Sequence, residues 1–102
     1  MRILPDMGLN KIEHLGIAVE DAAKASQLFE TLLGTAPYKE EAVAREGVTT
    51  VFFRLGESKV ELLESTREDS AIGKFISKRG PGLHHVAFQV ADIEAELARL
   101  RE

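Results

Sequence analysis

The stretch that decides the fold is HLGIAVED at positions 14–21, together with its echo HVAFQVAD at positions 85–92. In each copy a histidine opens an alternation of apolar residues, and an aspartate closes it. The offset is 71 positions both between the histidines, 14 and 85, and between the aspartates, 21 and 92. Since side chains alternate between the two faces of a strand, the pattern predicts two equivalent strands, each followed by an aspartate-capped helix. We interpret the echo as an internal repeat, with chance similarity between two strand–helix units as the alternative.

Around these two stretches, short strands and helices are predicted to alternate. Apolar residues recur at period two in the predicted strands and at helical spacing in the predicted helices, with glycines at the breaks. The predicted strands are 12–19, 38–44, 48–55, 58–64 and one opening at 83, and the predicted helices are 21–34, 70–80 and 92–101. This order predicts an α+β chain.

Composition limits the classes of function. The chain has 102 residues, 44% hydrophobic and 29% charged, as expected for one soluble domain. A formal net charge of −4 argues against a nucleic-acid partner, and the lack of a long apolar run argues against a membrane partner. No signal-peptide pattern opens the chain, so a cytoplasmic location is expected. Because cysteine is absent, any metal site must use histidine, carboxylate or amide ligands.

Three segments resemble the methylmalonyl-CoA epimerase family of the vicinal-oxygen-chelate (glyoxalase/bleomycin-resistance/dioxygenase) superfamily. They are HLGIAVEDAAKA, ESKVELLESTREDSAIGKF and GPGLHHVAFQVADIEAEL, in the family's order. The resemblance implies a vicinal-oxygen-chelate fold in which paired βαβββ modules curl around a cavity. In a single domain, 1–102, it implies one complete module at about 10–66, a linker helix at about 69–80, and the first strand and helix of a second module at about 82–102.

The resemblance also implies a metal site held by His14, Glu61 and His85. Imidazole and carboxylate ligands suit divalent ions of the Co, Mn, Ni or Zn class and leave positions open for substrate. The alternative for each histidine is a structural or surface role, and for Glu61 a solvent-facing position near Lys59. His84 is expected to point to the opposite strand face from His85 and to be structural.

The implied activity is an epimerase reaction that interconverts (R)- and (S)-methylmalonyl-CoA by 1,1-proton transfer. Such a reaction needs a base on each face of the reacting carbon. The resemblance implies that two glutamates act as these bases. The position of the first is occupied by Thr50 in this chain, and the second is expected beyond Glu102, so no catalytic base is assigned.

Other interpretations stay open at this point. One is a different metal-dependent enzyme of the superfamily, glyoxalase-like or dioxygenase-like. Another is a non-catalytic, ligand-binding or truncated module. The strand at 85–90 is expected to have an exposed edge that meets the first strand of the same or a second copy, so a homodimer is predicted.

Overall fold

A computed structural model describes residues 8–101 of the chain. The strands are β1 (Lys11–Val19), β2 (Lys39–Val43), β3 (Val48–Leu55), β4 (Ser58–Ser65) and β5 (Gly82–Gln89). The helices are α1 (Ala22–Leu33), α2 (Ala71–Arg79) and α3 (Ile93–Leu100). The predicted α+β class and order of elements are confirmed. The second strand ends earlier than predicted, because Ala44–Glu46 forms a 3-10 turn.

The five strands form one mixed sheet in the order β2-β3-β4-β1-β5. β1 runs parallel to β4 and antiparallel to β5. The predicted meeting of the last strand with the first is therefore confirmed within one chain. The division of the chain into modules stays a prediction.

One face of the sheet is covered by α1. Its N-terminus is capped twice, since Asp21 accepts from the backbone N–H of Lys24 and Glu64 accepts from that of Ala22 at 2.6 Å. The core beneath α1 consists of alternate residues of β1, β3 and β4 with the apolar stripe of the helix: Ile17, Val19, Val51, Phe53, Val60, Leu62, Ala25, Phe29 and Leu33. Phe53 and Leu62 are fully buried there, so this layer anchors the sheet.

The opposite face is covered by α2 only at one end. Ser70 caps this helix by accepting from the backbone N–H of Gly73 at 2.9 Å. A second apolar cluster joins Ile72 of α2 to Ala18, Val48 and Leu63 of the sheet. Because α2 spans only nine residues, the rest of this face is left for the site described below.

α3 follows β5 and begins at Asp92, whose side chain accepts from the backbone N–H groups of Glu94 and Ala95. The predicted aspartate caps are thus confirmed in both copies of the repeat. Among residues 8–101, no helix combines the length and the apolar character needed to cross a membrane.

Candidate metal centre

A cavity of about 650 Å³ lies on the face of the sheet opposite α1. Its wall is formed by side chains of β3, β4 and β5: Val48, Thr50, Phe52, Glu61, Leu63, His84 and His85. Ser70, Ala71 and Ile72 close the side nearest α2. Two of the three predicted ligands, Glu61 and His85, therefore line one cavity.

The two histidines of the repeat lie side by side. Nε2 of His14 is 3.0 Å from Nε2 of His85, and the two rings are nearly perpendicular. Two imidazole nitrogens bound to one ion at about 2.1 Å, at a right angle to each other, would lie about 3.0 Å apart. The separation therefore fits two ligands of a single ion.

Glu61 lies on the other side of the His14 ring. Its Oε2 is 3.5 Å from Nδ1 of His14, and its side chain is 15% exposed. Burial raises the pKa of the Glu61 carboxyl above its usual value, and the imidazole of His14 offsets part of this rise. The structure thus brings the three predicted ligands together, but Glu61 and His85 approach different nitrogens of His14. A single ion uses one nitrogen of His14, so the choice of nitrogen decides the ligand set.

Glu13 is a member of this cluster that the sequence analysis missed. Its Oε1 is 2.5 Å from Nδ1 of His14, and its Oε2 is 3.0 Å from Nζ of Lys59. Hydrogen bonds with these two side chains lower the pKa of the Glu13 carboxyl. Glu13, His14 and Glu61 offer donor atoms within 4.8 Å of one another and could hold a metal ion. The available signal was the repeat itself, since Glu13 precedes His14 as His84 precedes His85.

The expectation that His84 points to the opposite face from His85 is wrong. Nδ1 of His84 is 2.9 Å from Nδ1 of His85, and its ring meets that of Phe75 edge-on. The cause is a β-bulge, because β1 offers no pairing partner to His84. Burial lowers the pKa of the His85 imidazole, and the adjacent His14 and His84 lower it further.

Thr50, where the resemblance places the family's first glutamate, is 6% exposed and faces the cavity. Its partner across the β2–β3 pairing is Glu41, which also lines the cavity. The carboxylate of Glu41 is 3.3 Å from Nζ of Lys39. Glu41 therefore provides a carboxylate beside Thr50 in the cavity wall. The second base, expected beyond Glu102, falls outside the described residues.

Residues 13–102 match the family model described as the Glyoxalase/Bleomycin resistance protein/Dioxygenase superfamily. Similar proteins include an uncharacterized protein of Bacillus subtilis, 36% identical over 92% of the chain. The ethylmalonyl-CoA/methylmalonyl-CoA epimerase of Cereibacter sphaeroides and the mitochondrial methylmalonyl-CoA epimerase of Homo sapiens are each 34% identical over 92% of the chain. The chain spans 67%, 71% and 54% of the length of these three proteins, respectively.

Solved structures show the same fold. A variant of the methylmalonyl-CoA epimerase of Streptomyces coelicolor, in complex with 2-nitronate-propionyl-CoA, has a TM-score of 0.80 at 36% identity. That match covers 92% of this chain and 71% of the other. The methylmalonyl-CoA epimerase of Mycobacterium tuberculosis has a TM-score of 0.82 at 31% identity, covering 97% of this chain and 67% of the other. The vicinal-oxygen-chelate fold expected from the sequence is thereby confirmed.

Proposed function

Because this chain belongs to the glyoxalase/bleomycin resistance protein/dioxygenase superfamily, we propose that it acts as a methylmalonyl-CoA epimerase. The reaction is a 1,1-proton transfer that interconverts (R)- and (S)-methylmalonyl-CoA. The observation that carries the proposal is the approach of the His14 and His85 Nε2 atoms to 3.0 Å beside an open cavity. The identities of 34–36% with proteins named as epimerases of this substrate support it.

In this proposal His14 and His85, each through Nε2, hold a divalent ion of the Co, Mn, Ni or Zn class together with Glu61, whose side chain turns away from Nδ1 of His14 to reach the ion. Two imidazoles and one carboxylate fit that class and leave coordination positions free for substrate oxygens. When bound, such an ion supplies a Lewis acid for the negative charge that develops on the substrate's oxygens. The residues of the chain orient the substrate and move the proton.

The proton that moves is attached to the carbon between the thioester and the carboxylate of the substrate. The Thr50 hydroxyl is too weak a base to remove it unaided. We propose Glu41 as one of the two proton-transfer groups, because it lines the cavity beside Thr50 and carries a carboxylate. Its 47% exposed side chain keeps it in exchange with solvent protons.

The proposal is tested with the chain itself, stripped with a chelator and reloaded with Co²⁺. We expect the loaded protein to exchange the C2 hydrogen of methylmalonyl-CoA with deuterated solvent and to interconvert the epimers. Succinyl-CoA is the control substrate, because no single carbon in it is bonded to both the thioester and the carboxylate. A protein that binds Co²⁺ without any exchange would contradict the epimerase proposal and favour a binding module. Turnover of a glyoxalase or dioxygenase substrate would favour another enzyme of the superfamily.

We also propose that the chain forms a homodimer. β5 lies at one edge of the sheet, and its outer apolar side chains Leu83, Val86 and Phe88 are 38–56% exposed. Open edges and contiguous apolar surface favour association. Light scattering at micromolar concentration is expected to give twice the mass of one chain, and a strictly monomeric mass would contradict this.

The cytoplasmic location stays a prediction.

A further inference from the structure

Two β-bulges interrupt the pairing of β1 with β5, and each lies directly before a histidine of the repeat. The residues without a partner across the pairing are Glu13 in β1 and His84 in β5. A bulge turns the extra residue out of the regular alternation of faces. Glu13 can therefore reach the ring of His14, and His84 the ring of His85, although adjacent strand residues normally point apart.

The bulges are related by the same offset of 71 that relates the two copies of the sequence repeat. Moving forward by 71 positions from His14 gives His85, and moving back by 71 positions from Ala87 gives Gly16. The pairs His14–Ala87 and Gly16–His85 are both observed in the β1–β5 pairing. It also converts Glu13 into His84. The strand pair is thus close to two-fold symmetric, and each bulge brings the residue before a repeat histidine within hydrogen-bonding distance of Nδ1 of that histidine.

The hydrogen-bond partners assign the tautomers of the three rings. The Glu13 carboxylate can only accept, so Nδ1 of His14 donates to it, and in the neutral ring Nε2 of His14 carries the lone pair. Nε2 of His85 then donates to Nε2 of His14 across 3.0 Å. Nδ1 of His85 is left to accept from Nδ1 of His84 across 2.9 Å. The result is one directional chain of hydrogen bonds, from His84 through His85 and His14 to Glu13, which Lys59 also contacts.

We propose that Glu13 and His84 are positioning residues, which occupy Nδ1 of His14 and of His85 and so present both Nε2 atoms to one metal ion. The inference rests on the proposed metal site of His14 and His85. Glu13 serves His14 rather than the metal itself, because both of its oxygens are already bonded, one to His14 and one to Lys59. Acceptors of this kind on the second nitrogen of a metal-bound histidine fix the ring and its tautomer.

The arrangement makes His84 the residue that adjusts when metal binds. Ligation through both Nε2 atoms requires His85 to release the proton on its Nε2. The proton on Nδ1 of His84 then moves to Nδ1 of His85, and Nε2 of His84 takes up the released proton through water. All three rings stay neutral, and the number of bound protons is unchanged. His14 keeps its tautomer throughout, because Glu13 holds it.

The test is a long-range ¹⁵N–¹H spectrum of the histidine-labelled chain, which contains three histidines, all members of this cluster. Without metal, we expect protons on Nδ1 of His14, Nε2 of His85 and Nδ1 of His84. With Zn²⁺, we expect metal-induced shifts at Nε2 of His14 and His85, and a proton on Nε2 of His84. A metal-induced shift at Nδ1 of His14 would overturn the inference and support an ion held by Glu13, His14 and Glu61.

The matched variants are Glu13→Gln and Glu20→Gln. Each removes one carboxylate, Glu13 near the start of β1 and Glu20 directly after its end. We expect Glu13→Gln to weaken Zn²⁺ binding about 10- to 100-fold and to mix the His14 tautomers, with Glu20→Gln unchanged. Unchanged Zn²⁺ affinity in a folded Glu13→Gln protein would overturn the role of Glu13. The metal-free tautomers separate this inference from the proposed function. If they are as assigned but no Zn²⁺ binds, the proposed function fails, whereas tight Zn²⁺ binding with other tautomers defeats the inference alone.

Discussion

Replacing Gly16 with alanine is expected to lower the affinity for a divalent metal more than about a hundredfold while the fold stays intact. The His85 ring lies across Gly16, and a Cβ at that position would be 2.6 Å from both ring nitrogens. Gly16 is not among the glycines with positive φ, so alanine fits the backbone and the ring is what must move. Loss of an outer partner of a ligand costs about 10- to 100-fold in metal affinity, and displacement of a ligand itself should cost more. Calorimetric titration with Zn²⁺ measures the affinity, and circular dichroism checks the fold.

Two further variants give the upper and lower limits of the expected loss of metal affinity. His85→Ala removes the ring outright and sets the size of effect that Gly16→Ala should approach. Ala87→Gly changes the residue at the position equivalent to Gly16 in the repeat, where a Cβ is already accommodated opposite His14. We expect Ala87→Gly to keep wild-type metal affinity at a stability cost of about 0.5–1 kcal/mol. Wild-type affinity in Gly16→Ala would show that the His85 ring is not a ligand in the observed position.

The fold could be predicted from the sequence because its signals are local. Alternation of apolar residues in β1, the aspartates before α1 and α3, and the glycine after α1 each act within a few residues. The repeat also predicted one long-range contact, the pairing of β1 with β5, since equivalent strands of a duplicated unit can pair with each other. That pairing is what brings His14 within 3.0 Å of His85, although 71 positions separate them.

The rest of the site depends on irregularities that alternation cannot show. Period-two reasoning places Glu13 on the face opposite His14, and His84 on the face opposite His85. Both assignments fail because each strand carries an unpaired residue, and a bulge is visible only once the partner strand is known. The orientation of Glu61 toward Nδ1 of His14, rather than toward His85, likewise depends on the packing of β4 beside β1.

Acidification is expected to weaken metal binding by about tenfold per pH unit for each ligand that is protonated. Metal ligands bind in their deprotonated forms, so a proton on a ligand competes with the ion. Burial lowers the pKa of His85, which keeps this ring available into mildly acidic solution. Burial raises the pKa of Glu61, so its carboxyl competes for protons at a higher pH than an ordinary glutamate does. The affinity should therefore hold to a lower pH than an unburied imidazole ligand would allow, and it should fall more steeply where the Glu61 carboxyl is protonated as well.

Competition for Zn²⁺ with a chromophoric chelator, corrected for the chelator's own protonation, measures this curve. In His85→Ala the curve should become shallower, because one proton no longer competes with the metal. In Glu61→Gln, which cannot ionise, the fall in affinity caused by protonation of His85 should remain while the contribution of the Glu61 carboxyl disappears. A His85→Ala curve parallel to that of the wild-type protein, with the fold intact at every pH, would mean that protonation of His85 does not oppose metal binding and that the ion lies elsewhere in the cavity.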